Sequence, residues 1–224
     1  MAPIRVALIG LSASAKTAWA SSAHLPYLLS PTGRSKYEIV ALLNSSVEAA
    51  QSAITAYGLP STTRAYGNPE HLAADAEIDL IVCNTRVDVH APTITPSIAA
   101  GKAIFCEWPL ARNAVEAQAL VDAAQRAGTG LEKTVVGLQG RVVPLTKVIR
   151  GAIESGRIGR VLSSEFRAFG GTVDRNCLPE GLAYFTDREV GGNIYTIGFA
   201  HGEYLPTSNL LAKLYQTYQI YLTY

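Results

Sequence analysis

The stretch that decides the fold lies close to the N-terminus and reads Ile4-Arg5-Val6-Ala7-Leu8-Ile9-Gly10-Leu11-Ser12-Ala13-Ser14-Ala15. An apolar run ends at Gly10, and residues 13–29 then predict a loop that enters a helix. A glycine in such a turn lets backbone N–H groups approach a pyrophosphate at a helix N-terminus. Ser12 and Ala15 replace the second and third glycines of that pattern. The turn predicts a dinucleotide site at Gly10, Leu11, Ser12 and Ala15, although a plain strand–loop–helix turn would also explain it.

The same strand–helix unit repeats along the chain as far as residue 138. Residues 37–43 repeat the strand pattern, and residues 47–57 form an Ala-rich helical pattern that Gly58-Leu59-Pro60 ends. Short strands that alternate with helices of about 10–15 residues are typical of a parallel sheet covered on both faces. The sequence therefore predicts an α/β fold, a doubly wound parallel sheet of the Rossmann type, over residues 1–139. The other predicted strands are 64–66, 79–84, 102–106 and 134–138, and the other helices are 69–74, 91–100 and 113–127.

An incomplete second α+β domain is predicted for residues 140–224. A helical pattern over 143–155 leads into a strand pattern over 161–169, for which no βα partner follows. Only the Gly191-Gly192 pair and a Tyr-rich tail over 210–224 remain. An unpaired strand edge and an apolar tail predict that the isolated chain self-associates, as a homo-oligomer or as aggregates.

Composition excludes several classes of function. Nineteen Lys and Arg residues balance eighteen Asp and Glu residues, and no basic stripe could neutralise a phosphate backbone, so direct nucleic-acid binding is not expected. No apolar stretch approaches the ~20 residues that cross a bilayer, and the N-terminus lacks a signal-peptide pattern. The sequence thus predicts no membrane partner. It predicts a location in the cytoplasm, with the nucleus as a second possible location.

The three cysteines are Cys83, Cys106 and Cys177. They are far apart in sequence and lack the C-x-x-C spacing of a zinc or redox site, so no metal site is predicted. Cys83 and Cys106 are interpreted as small buried hydrophobes.

The end of the second predicted strand bears on the choice of cofactor. An acidic residue at this position usually binds the ribose hydroxyls of NAD, but the sequence here is Leu43-Asn44-Ser45-Ser46. No carboxylate is present to repel a 2′-phosphate, which favours NADP, or NAD and NADP without strong preference. Asn44 is thus a candidate cofactor residue. The same residues would also serve to cap the helix that follows.

The middle of the chain resembles the Gfo/Idh/MocA oxidoreductase family. The resemblance rests on Asp79-Leu80-Ile81-Val82-Cys83-Asn84-Thr85, then His90, then Gly101-Lys102-Ala103-Ile104-Phe105-Cys106-Glu107-Trp108-Pro109-Leu110-Ala111, and it extends over residues 4–169. Within the family, the long first loop, the Glu-Trp pair and the Leu138-Gln139-Gly140-Arg141 string are most similar to the fungal galactose-regulon repressor branch. That branch binds a dinucleotide and regulates transcription through protein contacts.

The resemblance implies roles for several residues. Thr85, His90, Glu107 and Trp108 would lie near the cofactor, with Glu107 on its ribose, while Trp108 occupies the position of the family lysine that helps to move a proton. His201 would be the catalytic histidine, but Ile197 occupies the position of its acidic partner. A histidine without that partner is more often a structural hydrogen-bonding residue. His90 would also suit a helix N-terminus.

Three functions stay open from the sequence. The family as a whole implies an NAD- or NADP-dependent oxidoreductase that acts on a sugar or polyol. The replacements at Trp108 and Ile197 favour a cofactor-sensing regulator of galactose metabolism that binds a protein partner. A truncated chain without independent function is the third hypothesis, because the family usually has ~330–400 residues by resemblance and fold membership alone does not decide function.

Overall fold

Six parallel strands form one sheet in the order β3-β2-β1-β4-β5-β6. The strands are β1 (Ile4–Ile9), β2 (Tyr37–Leu43), β3 (Arg64–Tyr66), β4 (Leu80–Cys83), β5 (Ala103–Glu107) and β6 (Thr134–Gly137). The structure is a computed structural model and describes residues 2–15, 19–128, 131–163 and 178–199. The doubly wound α/β fold predicted from the sequence is confirmed.

Helices connect the strands and begin where the sequence provides caps. The side chains of Ser46, Asn68 and Asn113 each accept a hydrogen bond from a backbone N–H of the helix that follows, which satisfies a donor left free at the helix start. The helices are α1 (Leu25–Leu29), α2 (Pro31–Arg34), α3 (Val47–Ala56), α4 (Pro69–Ala74), α5 (His90–Ala99), α6 (Ala114–Arg126) and α7 (Pro144–Glu154). Short helical turns cover Ala20–His24, Val87–Val89, Leu131–Lys133, Gln139–Arg141, Glu180–Thr186, Arg188–Val190 and Ile194–Phe199.

The sheet buries an apolar cluster on each face. Ile81, Ile94 and Ile104 belong to the cluster that α5 and α6 cover, and Leu8 and Leu42 belong to the opposite cluster. Burial on both faces explains why the strands are apolar along nearly their whole length.

An ion pair joins the amino ends of β1 and β4. The backbone N–H and the guanidinium of Arg5 both donate to the carboxylate of Asp79, at 2.7–3.0 Å. These hydrogen bonds lower the pKa of Asp79 to about 2. At the same end of the sheet, the ammonium of Lys102 donates to the carbonyls of Asp75 and Ile78.

The connection after β1 consists of several short helical segments instead of one helix. A π-helical turn, Ala20–His24, leads into α1, and Pro26 and Pro31 lie in the first turns of α1 and α2. Proline lacks a backbone N–H and is tolerated in the first helical turn, where that donor has no partner. A new helical segment therefore begins near each of these prolines.

The described residues divide into two compact units. Residues up to Gly137 form the first unit together with Pro179–Gly192, and Leu138 opens the second, which contains α7. Of the strand predicted over 161–169, residues 161–163 form no strand and the rest lies outside the described residues, as does the predicted tail over 210–224. None of the described helices is both long and apolar enough to cross a membrane.

Candidate functional site

The carboxyl ends of β1 and β4 lie side by side where the strand order reverses, and this is where open α/β sheets bind ligands. Gly10 follows β1 with a φ of +91°. A Cβ atom at Gly10 would lie 2.7 Å from Cγ2 of Thr85 and 3.3 Å from the carbonyl of Asn84. Only glycine therefore allows the first turn to lie against the loop after β4.

The first turn is held by its own backbone and by Tyr57, the residue that follows α3. The carbonyl of Ser12 accepts a hydrogen bond from the hydroxyl of Tyr57 at 3.2 Å and from the N–H of Ala15 at 3.4 Å. The Leu11 side chain is fully buried, so Leu11 can offer a ligand only its backbone. The turn is thus fixed in place, with Ser12 half-buried and Ala15 exposed.

Asn44 connects the first turn to the second βα unit. Its side-chain N–H group donates to the carbonyl of Leu11 at 2.8 Å and to that of Ala49 at 3.3 Å. Ser46 caps α3, as the capping interpretation expected. Asn44 therefore has a structural role beside the cofactor role predicted for it.

Asn84 is a candidate residue that sequence reasoning missed. Its side-chain N–H group donates to the carbonyl of Val82 at 3.3 Å, whereas its Oδ1 is buried and has no hydrogen-bond partner within the described ranges. An unsatisfied buried acceptor is costly and calls for a ligand or an ordered solvent molecule. Its position directly after β4, at the end of the sheet where ligands bind, was the sequence feature that could have identified it.

His90 orders the two loops that follow β4 and β5. Its ring is 1% exposed; Nε2 lies 2.9 Å from the carbonyl oxygen of Thr85, and Nδ1 lies 3.0 Å from that of Pro109. His90 is also the first residue of α5, as the helix interpretation expected. It lies beneath Thr85, and its nitrogens face backbone atoms.

Glu107 and Trp108 lie at the carboxyl end of β5. Oε1 of the buried Glu107 lies 2.5 Å from Nε2 of His24, at the end of the π-helical turn, and the His24 ring packs edge-on against Phe105. The sequence offered no signal for His24, which lies 83 residues away from its partner. The half-buried Trp108 follows, joined to Pro109 by a cis peptide bond.

The predicted catalytic histidine and the residue that replaces its acidic partner come late in the sequence, at positions 201 and 197. Ile197 belongs to the second unit, in the turn Ile194–Phe199, and its N–H donates to the carbonyl of Asn193 at 2.9 Å. His201 lies outside the described residues. The first unit therefore brings together the candidate cofactor residues and leaves the role of His201 as a prediction.

Comparison with known families decides the identity of this fold. The model of the Gfo/Idh/MocA oxidoreductases, described as an oxidoreductase family with an NAD-binding Rossmann fold, matches residues 4–132. The chain belongs to the Gfo/Idh/MocA family. This confirms the resemblance on which the site assignments were based.

Relatives within the Gfo/Idh/MocA family include both dehydrogenases and regulators. The chain is 34% identical to dehydrogenase aclE of Aspergillus oryzae over 88% of its length and 52% of that protein. It is 29% identical to the galactose/lactose metabolism regulatory protein GAL80 of Saccharomyces cerevisiae, over 89% of its length and 46% of that protein. The chain thus spans about half the length of these curated relatives.

Solved structures agree with this grouping. The transcriptional regulator Gal80p of Kluyveromyces lactis superposes with a TM-score of 0.76 and 26% identity, over 91% of this chain and 51% of that structure. The similarity covers both a regulator and, through the curated relatives, an enzyme, so the function of this chain has to be argued from its own residues.

Proposed function

We propose that this chain binds NAD or NADP at the carboxyl ends of β1, β4 and β5. The observation that carries the proposal is the close approach at Gly10, which leaves the first turn against the loop of Thr85 without an intervening side chain. The buried, unsatisfied Oδ1 of Asn84 lies beside this turn and suits a hydroxyl donor from a ligand. Asn44 in place of a carboxylate is compatible with the 2′-phosphate of NADP as well as with NAD.

The same chain is proposed to hold its cofactor without efficient hydride transfer. A bound nicotinamide supplies the hydride donor or acceptor, and a proton must move at the substrate oxygen in the same reaction. A positioned acid or base commonly contributes ~10²–10⁴-fold to such a step. The indole of Trp108 has no titratable group with which to move that proton. Lys102 cannot replace it, because it is bonded at the opposite end of β5.

A regulatory role follows from binding without turnover. A dinucleotide-bound chain would report the metabolic state to a partner protein, in the cytoplasm or the nucleus. The regulatory proteins among its relatives support this proposal.

A second candidate function is oxidoreduction of a sugar or polyol. The observation that favours it is the His24–Glu107 pair at the end of β5, because an imidazole hydrogen-bonded to a carboxylate is a common proton carrier. The dehydrogenases among the relatives support it as well.

A turnover experiment separates the two candidates. Nicotinamide absorbance is followed with a panel of sugars and polyols for the natural chain, His24→Gln and Trp108→Lys. Val115→Lys is the matched control, because Val115 is 81% exposed on α6. We expect no turnover by the natural chain or the control and turnover after Trp108→Lys. Robust turnover by the natural chain that His24→Gln removes would instead establish the second candidate.

A further inference from the structure

Two cysteines and a histidine meet beneath the carboxyl ends of β4 and β5. Cys83 and Cys106 are paired residues of these adjacent parallel strands, and both belong to the same apolar cluster on one face of the sheet. Neighbouring strands lie about 4.8 Å apart, which falls within the Cα separation of about 4.4–6.8 Å that a disulfide spans. The two sulfurs and a ring nitrogen of His90 all lie within 4.8 Å of one another. Burial of both cysteines was predicted, but their adjacency was not.

The His90 ring makes this cluster unlike an ordinary pair of buried thiols. Each ring nitrogen faces a backbone carbonyl, and Nδ1 also lies 3.3 Å from Sγ of Cys106. A protonated ring nitrogen can donate to the carbonyl that it faces, and an unprotonated Nδ1 can accept from the Cys106 thiol. A polar ring, rather than an apolar side chain, therefore borders the two sulfurs.

The pKa values of the two thiols are shifted in opposite directions. A hydrogen bond from Cys106 lowers the pKa of the Cys83 thiol, and the neighbouring His90 and hydrogen bonds from Thr85 lower it further against the effect of burial. The same hydrogen bond, together with burial, raises the pKa of Cys106. A thiolate beside a thiol is the pair from which disulfides form.

A metal ion fits the three side chains less well. A histidine ligand must offer a deprotonated nitrogen to the metal, whereas both nitrogens of His90 are directed at carbonyls. Structural zinc sites also have four ligands in nearly all cases, and this cluster has three.

A cavity for a small oxidant lies next to one of the two sulfurs. Cys106 lines an apolar cavity of about 90 Å³, together with Ile94, Ile98, Leu110 and Leu120, and the Cys83 sulfur lies within 4.8 Å of the Cys106 sulfur. A water molecule occupies about 30 Å³ of liquid, so hydrogen peroxide, which is neutral and only slightly larger, fits this space.

We propose that Cys83 and Cys106 form a redox modification site, in which a peroxide converts the two thiols into a disulfide between β4 and β5. The Cys83 thiolate attacks one peroxide oxygen, the O–O bond breaks, and hydroxide leaves to be protonated as water; Cys83 becomes a sulfenic acid. The Cys106 sulfur then attacks the Cys83 sulfur, the S–O bond breaks, and a second water leaves with the Cys106 proton. The two thiols lose two electrons and the peroxide gains them. The disulfide forms whether or not a dinucleotide is bound.

The test uses the full chain with Cys177→Ser, which removes the third thiol. The reduced, folded protein is treated with hydrogen peroxide, its remaining thiols are blocked with N-ethylmaleimide, and intact mass and peptide maps are recorded. We expect the loss of two hydrogen masses, a linked peptide that contains Cys83 and Cys106, and reversal by dithiothreitol. Cys106→Ser, the matched variant, should stop at a sulfenic acid on Cys83 that dimedone traps.

Three results would overturn the proposal. One is that both thiols stay unoxidised in the folded chain. Another is that each sulfur proceeds to sulfinic acid while no linked peptide appears. The third is that the protein, as purified, holds one equivalent of zinc that blocks both thiols until a chelator removes it. The peptide map of the chain that keeps both Cys83 and Cys106 tests the proposal even if Cys106→Ser fails to fold.

Discussion

Nε2 of His24 and Oε1 of Glu107 lie 2.5 Å apart and connect the helical segment after β1 to the end of β5. Because Glu107 is buried, removal of the imidazole leaves its carboxylate with one partner fewer in a poorly solvated place. We expect His24→Ala to lower the free energy of unfolding by about 1–3 kcal/mol. Chemical denaturation measures this. His71→Ala is the control, because His71 is exposed, and equal stabilities for the two variants would contradict the role given to the pair.

Gly10 should tolerate no side chain. We expect Gly10→Ala to cost about 1–2 kcal/mol through its positive φ alone, and more because the new Cβ meets Thr85. Gly58→Ala is the matched control: Gly58 also has a positive φ, but a Cβ there would meet no atom within 4 Å. Thermal melts and dinucleotide titrations of both variants test this. The prediction fails if Gly10→Ala binds a dinucleotide as well as Gly58→Ala does.

The Arg5–Asp79 pair predicts how stability depends on acid. The Asp79 pKa of about 2 lies below the ordinary value of 3.8. The ionised carboxylate therefore stabilises the fold fully at pH values above 3.8, and this contribution is lost as the pH falls through about 2. We expect Asp79→Asn to be less stable than the natural chain near neutral pH, with a difference that shrinks on acidification. Thermal melts of both proteins from neutral to acidic pH check this prediction. Glu132→Gln is the control, because Glu132 is exposed. A difference that does not change with pH would refute it.

The apolar face of α7 bears on self-association. Leu145 and Val148 are 60% and 62% exposed and lie three residues apart on that helix. We predict that the chain self-associates at micromolar concentration, and that Leu145→Glu with Val148→Glu reduces the average mass measured by light scattering. Val115→Glu on α6 controls for added charge. A monodisperse natural monomer with a cooperative melt would disprove this prediction.

The sheet could be predicted because its strands are buried on both faces and therefore form continuous apolar runs. The contacts that give the site its chemistry could not. His24 and Glu107 are brought together by the path of the chain after β1, and Cys83 meets Cys106 through the register of two strands, neither of which local pattern determines. Asn84 is a different case, because the sequence already places it directly after β4. Only the structure shows that its Oδ1 is buried and unsatisfied.

Calorimetric titration of the folded natural chain with NADP and with NAD tests the central claim most directly. We predict saturable binding of at least one dinucleotide at a single site, because Gly10 lets the first turn lie against the loop after β4, where open α/β sheets bind ligands, and Asn84 has an acceptor to satisfy. Replacement of Ala15 by Leu should weaken that binding. If neither dinucleotide binds at millimolar concentration to a sample whose fold is confirmed by a cooperative melt, the site proposed here does not hold a dinucleotide.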